Sequence, residues 1–255
     1  MESFQVVYPS TLLTPYVRQY WFLSADVVQG SQRFMPGGCV GLGFNRGKSV
    51  CSLSDGSSFP RSYISGQAIK YADLSFTSLD MILVVFQPIG ARAVLGLPMD
   101  ELATLYIPID VLGDPLLMEL EDRLSSAVDN RTCIYWIEQY LLNRIYRFDE
   151  YNMKRLSAVM TSICSGETDL MNLASEACLG YKQFKRIFSE YVGLNPKDFI
   201  RINRFSKALN LFQTHPSMSL SEISDRCGYY DKSHLIKEMK SLSGYTPSEL
   251  IRNGD

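Results

Sequence analysis

Gly193-Leu194-Asn195-Pro196-Lys197-Asp198-Phe199-Ile200 and Gly244-Tyr245-Thr246-Pro247-Ser248-Glu249-Leu250-Ile251 close two copies of one pattern. The first copy begins with Leu173-Ala174 and continues through Phe184 and Ile187-Phe188; the second begins with Ile223-Ser224 and continues through Leu235 and Met239. The offset is 50 residues early in the pattern and 51 late in it, which puts a one-residue insertion near Tyr230. Asn195-Pro196-Lys197-Asp198 and Thr246-Pro247-Ser248-Glu249 repeat one helix-starting device: a polar cap, proline next, then an acid in the first turn. Ser219-Leu220-Ser221-Glu222 is a capping box, in which serine and glutamate each satisfy an orphan backbone N–H.

Working outward, each copy reads as two helices joined by a short turn. Leu170, Leu173 and Ala174 form the buried face of a first helix, and Leu220, Ile223 and Ser224 do so in the second copy. Turns follow at Cys178 to Gly180 and at Gly228 to Asp231. Phe184, Ile187 and Phe188, like Leu235 and Met239, then face inward on a second helix. A long helix from about 196 to 213, with Phe199, Ile202, Phe205, Leu209 and Phe212 on its apolar face, ends before His215-Pro216 and ties the copies together. The helix-turn-helix spans are about 169–192 and 219–242. In that motif the second helix enters the major groove of DNA. The outward residues here are Lys182, Lys185 and Arg186, and then Lys232, Ser233, Ile236 and Lys237, with Lys240 behind them. Long cations reach guanine edges or phosphates, whereas Ser233 and Ile236 sense a base edge or a thymine methyl. A single exposed lysine is usually just solvated; cations at equivalent places in both copies point to double-stranded DNA. His234, near the start of its helix, is read as packing or touching phosphate.

Cys227-Gly228-Tyr229-Tyr230-Asp231-Lys232-Ser233-His234-Leu235 and Ser243-Gly244-Tyr245-Thr246-Pro247-Ser248-Glu249-Leu250 resemble the second helix-turn-helix of the AraC/XylS family of bacterial transcription regulators. The stretch from Leu173 to Arg204 is similar to that family's first unit, and the resemblance covers roughly residues 150–252. It implies two recognition helices in successive major-groove segments, about one helical turn apart. It also implies base-reading positions at Lys182, Lys185, Arg186, Lys232, Ser233, Ile236 and Lys237, and a transcription regulator whose further partner is RNA polymerase. Gly180 departs from the serine that often caps the family's first recognition helix. Ser224 and Met239 replace a frequent alanine and phenylalanine.

The front of the chain has another character. Tyr20 to Leu23, Cys39 to Asn45 and Met81 to Phe86 read as strands, and Asp55-Gly56-Ser57-Ser58 as a turn. The unbroken apolar run at Met81 to Phe86 implies burial on both faces. A short helical stretch begins at Ile89 and stops by Pro98. Helices follow at about 114–146: Asp114-Pro115 starts one, and Thr132 is a candidate cap for the next. These helices pair with a second subunit or lie against the β-rich part of the same chain. Tyr20-Trp21-Phe22, Phe34-Met35-Pro36-Gly37-Gly38-Cys39-Val40, Phe44-Asn45 and Val85-Phe86-Gln87-Pro88-Ile89-Gly90-Ala91 resemble an N-terminal domain of a poorly characterised subset of the same regulators. That resemblance implies a β-rich, barrel-like module with flanking helices, acting as sensor or dimerisation unit. Trp21, Phe34, Phe44, Tyr63 and Phe86 are its candidate pocket residues, although such aromatics more often form core. The expected architecture is therefore α+β, with a sensor or dimerisation domain at 1–148, polar residues Arg147 to Glu150 as hinge, a helix at 151–164, and an all-α DNA-binding domain at 149–255.

Composition sets the limits. Residues 1–150 carry 11 Lys+Arg against 16 Asp+Glu, and residues 151–255 carry 14 against 11, so a mildly basic tail follows an acidic front. No apolar run approaches the roughly 18 residues of a membrane span, and the N-terminus lacks a signal-peptide pattern, so a cytoplasmic location without membrane contact is expected. Six scattered cysteines and two histidines give a zinc site little support, and the thiols are expected to be reduced and mostly buried. No cofactor, metal or catalytic residue is assigned. Methyltransferases that repair DNA carry this kind of domain and use an activated cysteine, but neither Cys39 nor Cys51 has a histidine nearby in sequence, so an enzyme is not expected. The alternative function is a scaffold with a DNA-binding fold that acts mainly through protein contacts. A small-molecule effector and a homodimer stand as further partners of a regulator of this kind.

Overall fold

The computed structural model describes residues 2–145 and 150–253. Seven strands, β1 (Glu2–Val7), β2 (Val17–Phe34), β3 (Gly41–Asn45), β4 (Cys51–Ser52), β5 (Ser62–Ser65), β6 (Ala72–Phe86) and β7 (Tyr106–Pro108), form one antiparallel sheet. Its neighbour order is β1-β2-β6-β3-β5-β7, with β4 also on β6. The two long strands extend well past the short apolar runs that the sequence advertises. Their outer halves, largely polar, pair with each other from Gly30↔Phe76 to Phe34↔Ala72. Ladder hydrogen bonds sustain a strand there where hydrophobic alternation does not.

Side-chain parity divides the sheet into two faces. Tyr20 and Phe22 of β2, Leu42 and Phe44 of β3, and Ile82, Val84 and Phe86 of β6 share one face. Helices α1 (Gly90–Leu95), α2 (Pro115–Ser126) and α3 (Asn130–Ile145) cover it through Val94, Leu117, Leu120, Leu124, Ile137 and Leu141. Trp21, Leu83 and Val85 belong to the other face, which lines a cavity. The apolar run at Met81 to Phe86 thus has helices on one side and a cavity on the other. Asp114 caps α2 as expected, accepting from the Leu116 amide at 3.1 Å. At α3 the cap is Asp129, whose carboxylate accepts from the Thr132 amide at 2.7 Å; the expectation of Thr132 as cap is corrected, because the helix starts at Asn130.

The remaining helices are α4 (Glu150–Ser165), α5 (Leu170–Glu176), α6 (Tyr181–Val192), α7 (Pro196–Thr214), α8 (Leu220–Cys227), α9 (Lys232–Ser243) and α10 (Pro247–Asn253). Leu156, Val159 and Ile163 of α4, Phe188 of α6, Phe199 and Phe205 of α7, Ile223 of α8 and Leu242 of α9 share one continuous core. Ile89, from the sheet domain, joins that core, so the two domains pack directly. The expected hinge at Arg147, Phe148 and Asp149, with the domain boundary at 148/149, lies outside the described residues. All six cysteines are free. Only Cys133 and Cys227 are buried, which corrects the expectation of mostly buried thiols: Cys164 and Cys178 lie exposed near helix ends. Among the described residues no helix is long and apolar enough to cross a membrane, and no group of three His, Cys, Asp or Glu side chains gathers to hold a metal ion.

Candidate nucleic-acid interface and sensor cavity

The first unit starts at Asp169, whose carboxylate accepts from the amides of Met171 at 2.7 Å and Asn172 at 3.1 Å. Leu173, Ala174 and Ala177 turn inward. Cys178 takes a left-handed conformation at φ 52°, and Gly180 opens α6 with no side-chain cap. Along α6, Phe184, Ile187, Phe188, Tyr191 and Val192 are buried. Lys182, Lys185 and Arg186 stand exposed on its opposite face. Arg186 reaches back to Glu190 at 3.4 Å.

The second unit repeats the plan with firmer ends. Ser219 and Glu222 complete the capping box, and those hydrogen bonds hold the Glu222 carboxyl below its ordinary range. Gly228 ends α8 at φ 72°, and Asp231 caps α9 by accepting from the His234 amide at 2.6 Å. Lys232, Ser233, Lys237 and Lys240 are exposed, whereas Ile236 is half-buried. Among the described residues, Lys182, Lys185, Lys232, Lys237 and Lys240 form no ion pair with a carboxylate. His234 packs edge-on against Tyr229 at 5.3 Å, and its Nδ1 accepts from the Tyr230 amide at 3.4 Å. Its ring therefore organises the turn before α9. Arg204 of α7 donates to the Gly228 carbonyl at 2.9 Å, and Arg201 pairs with Glu238 at 2.6 Å, fastening the linking helix to this unit.

Two exposed side chains beside these helices were not singled out from the sequence. Gln183 lies in the first turn of α6, and Tyr230 is 92% exposed in the turn before α9. Helical spacing alone puts Gln183 on the same face as Lys182 and Arg186. Tyr230 marks the one-residue insertion between the copies, and an insertion exposing a tyrosine was the available signal.

In the sheet domain a cavity of about 560 Å³ lies against the second face of the sheet. Trp21, Phe34, Tyr63, Leu83, Val85 and Tyr106 contribute to its lining. Of the five aromatics expected there, Trp21, Phe34 and Tyr63 line it. Phe44 and Phe86 do not, which corrects the expectation: the two-residue alternation of β3 and β6 turns both into the core beneath the helices. Arg18 and Lys70 also border the cavity, and Arg18 donates to Cys39 Sγ at 3.5 Å. Loss of solvent around its sulfur raises the half-buried Cys39 thiol above its ordinary value, with Arg18 acting against that shift. The indole N–H of Trp21 is buried without a hydrogen-bond partner.

Comparison with known proteins follows the same division. Residues 173–253 match a family model described as a helix-turn-helix domain, and residues 5–108 match a domain of unknown function (DUF6597). The chain is 23% identical over 214 residues to the probable transcriptional regulator LumQ of Photobacterium leiognathi, covering 79% of this chain and 84% of that protein. It is 25% identical over 103 residues to the uncharacterized HTH-type transcriptional regulator YidL of Escherichia coli (strain K12). That match covers 40% of this chain and only 34% of YidL, about a third of its length. The fold is similar to that of ToxT from Vibrio cholerae, with a TM-score of 0.50 at 11% identity over 88% of this chain and 97% of that one. Paired helix-turn-helix units behind a sheet domain define a DNA-binding transcription regulator. Residues 173–253 form a helix-turn-helix domain of the AraC type, behind an N-terminal antiparallel sheet domain.

Proposed function

We propose that this protein reads two successive major-groove segments of a specific DNA sequence, one with α6 and one with α9, and that the sheet domain modulates the reading. The observation that carries this reading is the exposed cationic face on both helices, Lys182, Lys185 and Arg186 on one and Lys232, Lys237 and Lys240 on the other, with Arg186 and Lys237 at matching positions of the two copies. Lys182, Lys185, Arg186, Lys232, Ser233, Ile236 and Lys237 are the base-reading set, with Lys240 toward the phosphates. Neutralised phosphates supply much of the affinity, so binding falls steeply with added salt. RNA polymerase is the partner through which a bound regulator acts on transcription, and a second copy of the chain is a further one.

The effector suited to the cavity is a largely apolar small molecule with one acidic group. Apolar walls favour its body, Arg18 and Lys70 its charge, and the indole N–H of Trp21 awaits an acceptor. Tyr71 borders the cavity and also stacks on Arg33, which touches the second helix-turn-helix unit. Ser206 of α7 also lines the cavity, so an occupant touches the DNA-binding half there and reaches the second unit through Tyr71 and Arg33.

Selection of bound duplexes from a random pool, with the full-length protein at moderate salt, tests the reading. One motif with two short blocks about 10 base pairs apart is expected, and two such motifs in tandem indicate a dimer. Absence of any enriched sequence, with and without apolar carboxylates in the buffer, overturns it in favour of a scaffold role.

A further inference from the structure

The duplication makes the last turn of α6 equivalent to the last turn of α9, and each ends in a left-handed glycine, Gly193 at φ 86° and Gly244 at φ 76°. The sheet domain touches the second half of the molecule at both of these points. A Cβ on Gly193 would lie 2.9 Å from the Met99 carbonyl oxygen and 3.1 Å from the Gln67 side chain. A Cβ on Gly244 would lie 2.6 Å from Arg33 Nη1 and 2.7 Å from the Tyr71 ring. Only glycine satisfies both the helix end and the close approach.

An arginine from the sheet domain grips each of these turns. Arg33 of β2 is held by Asp73 of β6 through two hydrogen bonds, at 2.6 and 2.7 Å. Its guanidinium lies between the rings of Tyr71 at 4.0 Å and Tyr245 at 4.1 Å, and Nη1 donates to the Ser243 carbonyl at 3.1 Å. A cation is thereby fixed at the negative end of the second recognition helix. Arg92 of α1 pairs with Glu190 in the last turn of α6 at 3.0 Å, with Tyr191 5.8 Å from its guanidinium carbon. The other Glu190 oxygen takes Arg186, so the sheet domain also shares a carboxylate with a candidate base-reading side chain.

The helical half ties α6 and α9 together by packing both on α7. One helix as a strut resists stretching well and bending or twisting less well. A second strut across the top, running from Gly193 through the sheet to Gly244, triangulates the pair. We infer that Arg33 and Arg92 are positioning residues that fix the separation of the two recognition helices, and with it the spacing between DNA blocks that the protein accepts. This inference rests on the two-segment reading proposed above.

The test uses the full-length protein and duplexes carrying the two selected blocks at the optimal spacing and at one and two base pairs more or fewer. The wild-type chain loses about tenfold or more in affinity away from the optimum, the equivalent of one poorly matched base pair. For Arg33→Ala/Arg92→Ala the off-optimum penalty falls below about threefold, while affinity for either block alone stays within about twofold of wild type. General damage to the fold would lower single-block binding and leave the spacing preference unchanged. Circular dichroism checks folding, and if the double variant does not fold, Arg33→Lys and Glu190→Gln, which preserve size, are read in the same assay. A variant profile superimposable on that of the wild type overturns the inference. Selection of a single block by the wild-type chain removes the two-segment reading itself, and this inference falls with it.

Discussion

The two helix-turn-helix units share one plan and differ in what fills them and what they show to solvent. In the first, Phe184 and Phe188 meet edge to face at 5.6 Å, and Phe188 meets Phe199 of the linking helix at the same distance. Leu235 and Met239 take the equivalent places in the second. Outside, α6 presents two lysines and an arginine, whereas α9 mixes lysines with Ser233 and the half-buried Ile236. The first unit thus combines an aromatic interior with an outward face on which three cations surround Gln183. The second has a softer interior and a more varied outward face, which under the proposed reading serves to sense a thymine methyl or a base edge. A duplicated scaffold needs matching volumes and helix ends; its outward positions are free to diverge.

The largest effect expected from this contrast is on stability. Phe188→Ala removes a ring with no solvent exposure and costs about 3–5 kcal/mol, against about 2–5 for Met239→Ala, which removes a smaller, unbranched side chain. Denaturant unfolding monitored by circular dichroism ranks the two. A larger loss at Met239 would reverse the assignment of the tighter core.

Next comes DNA affinity. Arg186→Ala and Lys237→Ala each weaken binding to the selected sequence by about 1–3 kcal/mol if the side chain reads a base. Titrations against selected and random duplexes separate the roles. An equal loss on both makes the residue a phosphate contact, and the salt dependence then drops by about one counterion.

Helix ends give a smaller difference. Asp231→Ala removes the α9 cap and destabilises the second unit by about 0.5–2 kcal/mol. Gly180→Ser adds a cap to α6 at an extended backbone position (φ −66°, ψ 149°) with open space around it, and stabilises the first unit by a few tenths of a kcal/mol. Amide exchange in the two recognition helices should move in opposite directions; protection unchanged in both would mean that packing, not capping, limits their opening.

The smallest effect concerns pH. Hydrogen bonds from Arg33 hold the Asp73 carboxyl below the usual carboxylate range. Its folded pKa lies below the unfolded value of about 3.9, so the stabilisation is complete above about pH 5 and fades as pH falls through the folded value. The gap between the wild type and Asp73→Asn, about 1 kcal/mol or less for so accessible a pair, should therefore close below about pH 4 in acid titrations. A gap that widens on acidification would contradict the pairing.

Helix periodicity and end signals were legible in the sequence nearly to the residue in the second half, because capping is local chemistry: Asn195-Pro196, Ser219 with Glu222, and Thr246 with Glu249 all act within one turn. The long outer halves of β2 and β6 were not, because largely polar segments become strands only by pairing with each other. Phe44 and Phe86 were placed on the wrong face for a related reason. An apolar run with no alternation conceals its parity until partners sit on both sides.

By itself the sequence determined two matched helical units, their caps, the helix between them and the cations on equivalent faces, all of which follow from spacings of three to five residues. Tertiary structure decided which sheet face meets the helices and which encloses a cavity, and it brought Arg33 and Arg92 to Ser243 and Glu190, partners 210 and 98 residues away. Contacts across such distances leave no local trace, since they arise only where the sheet and the helical body pack together.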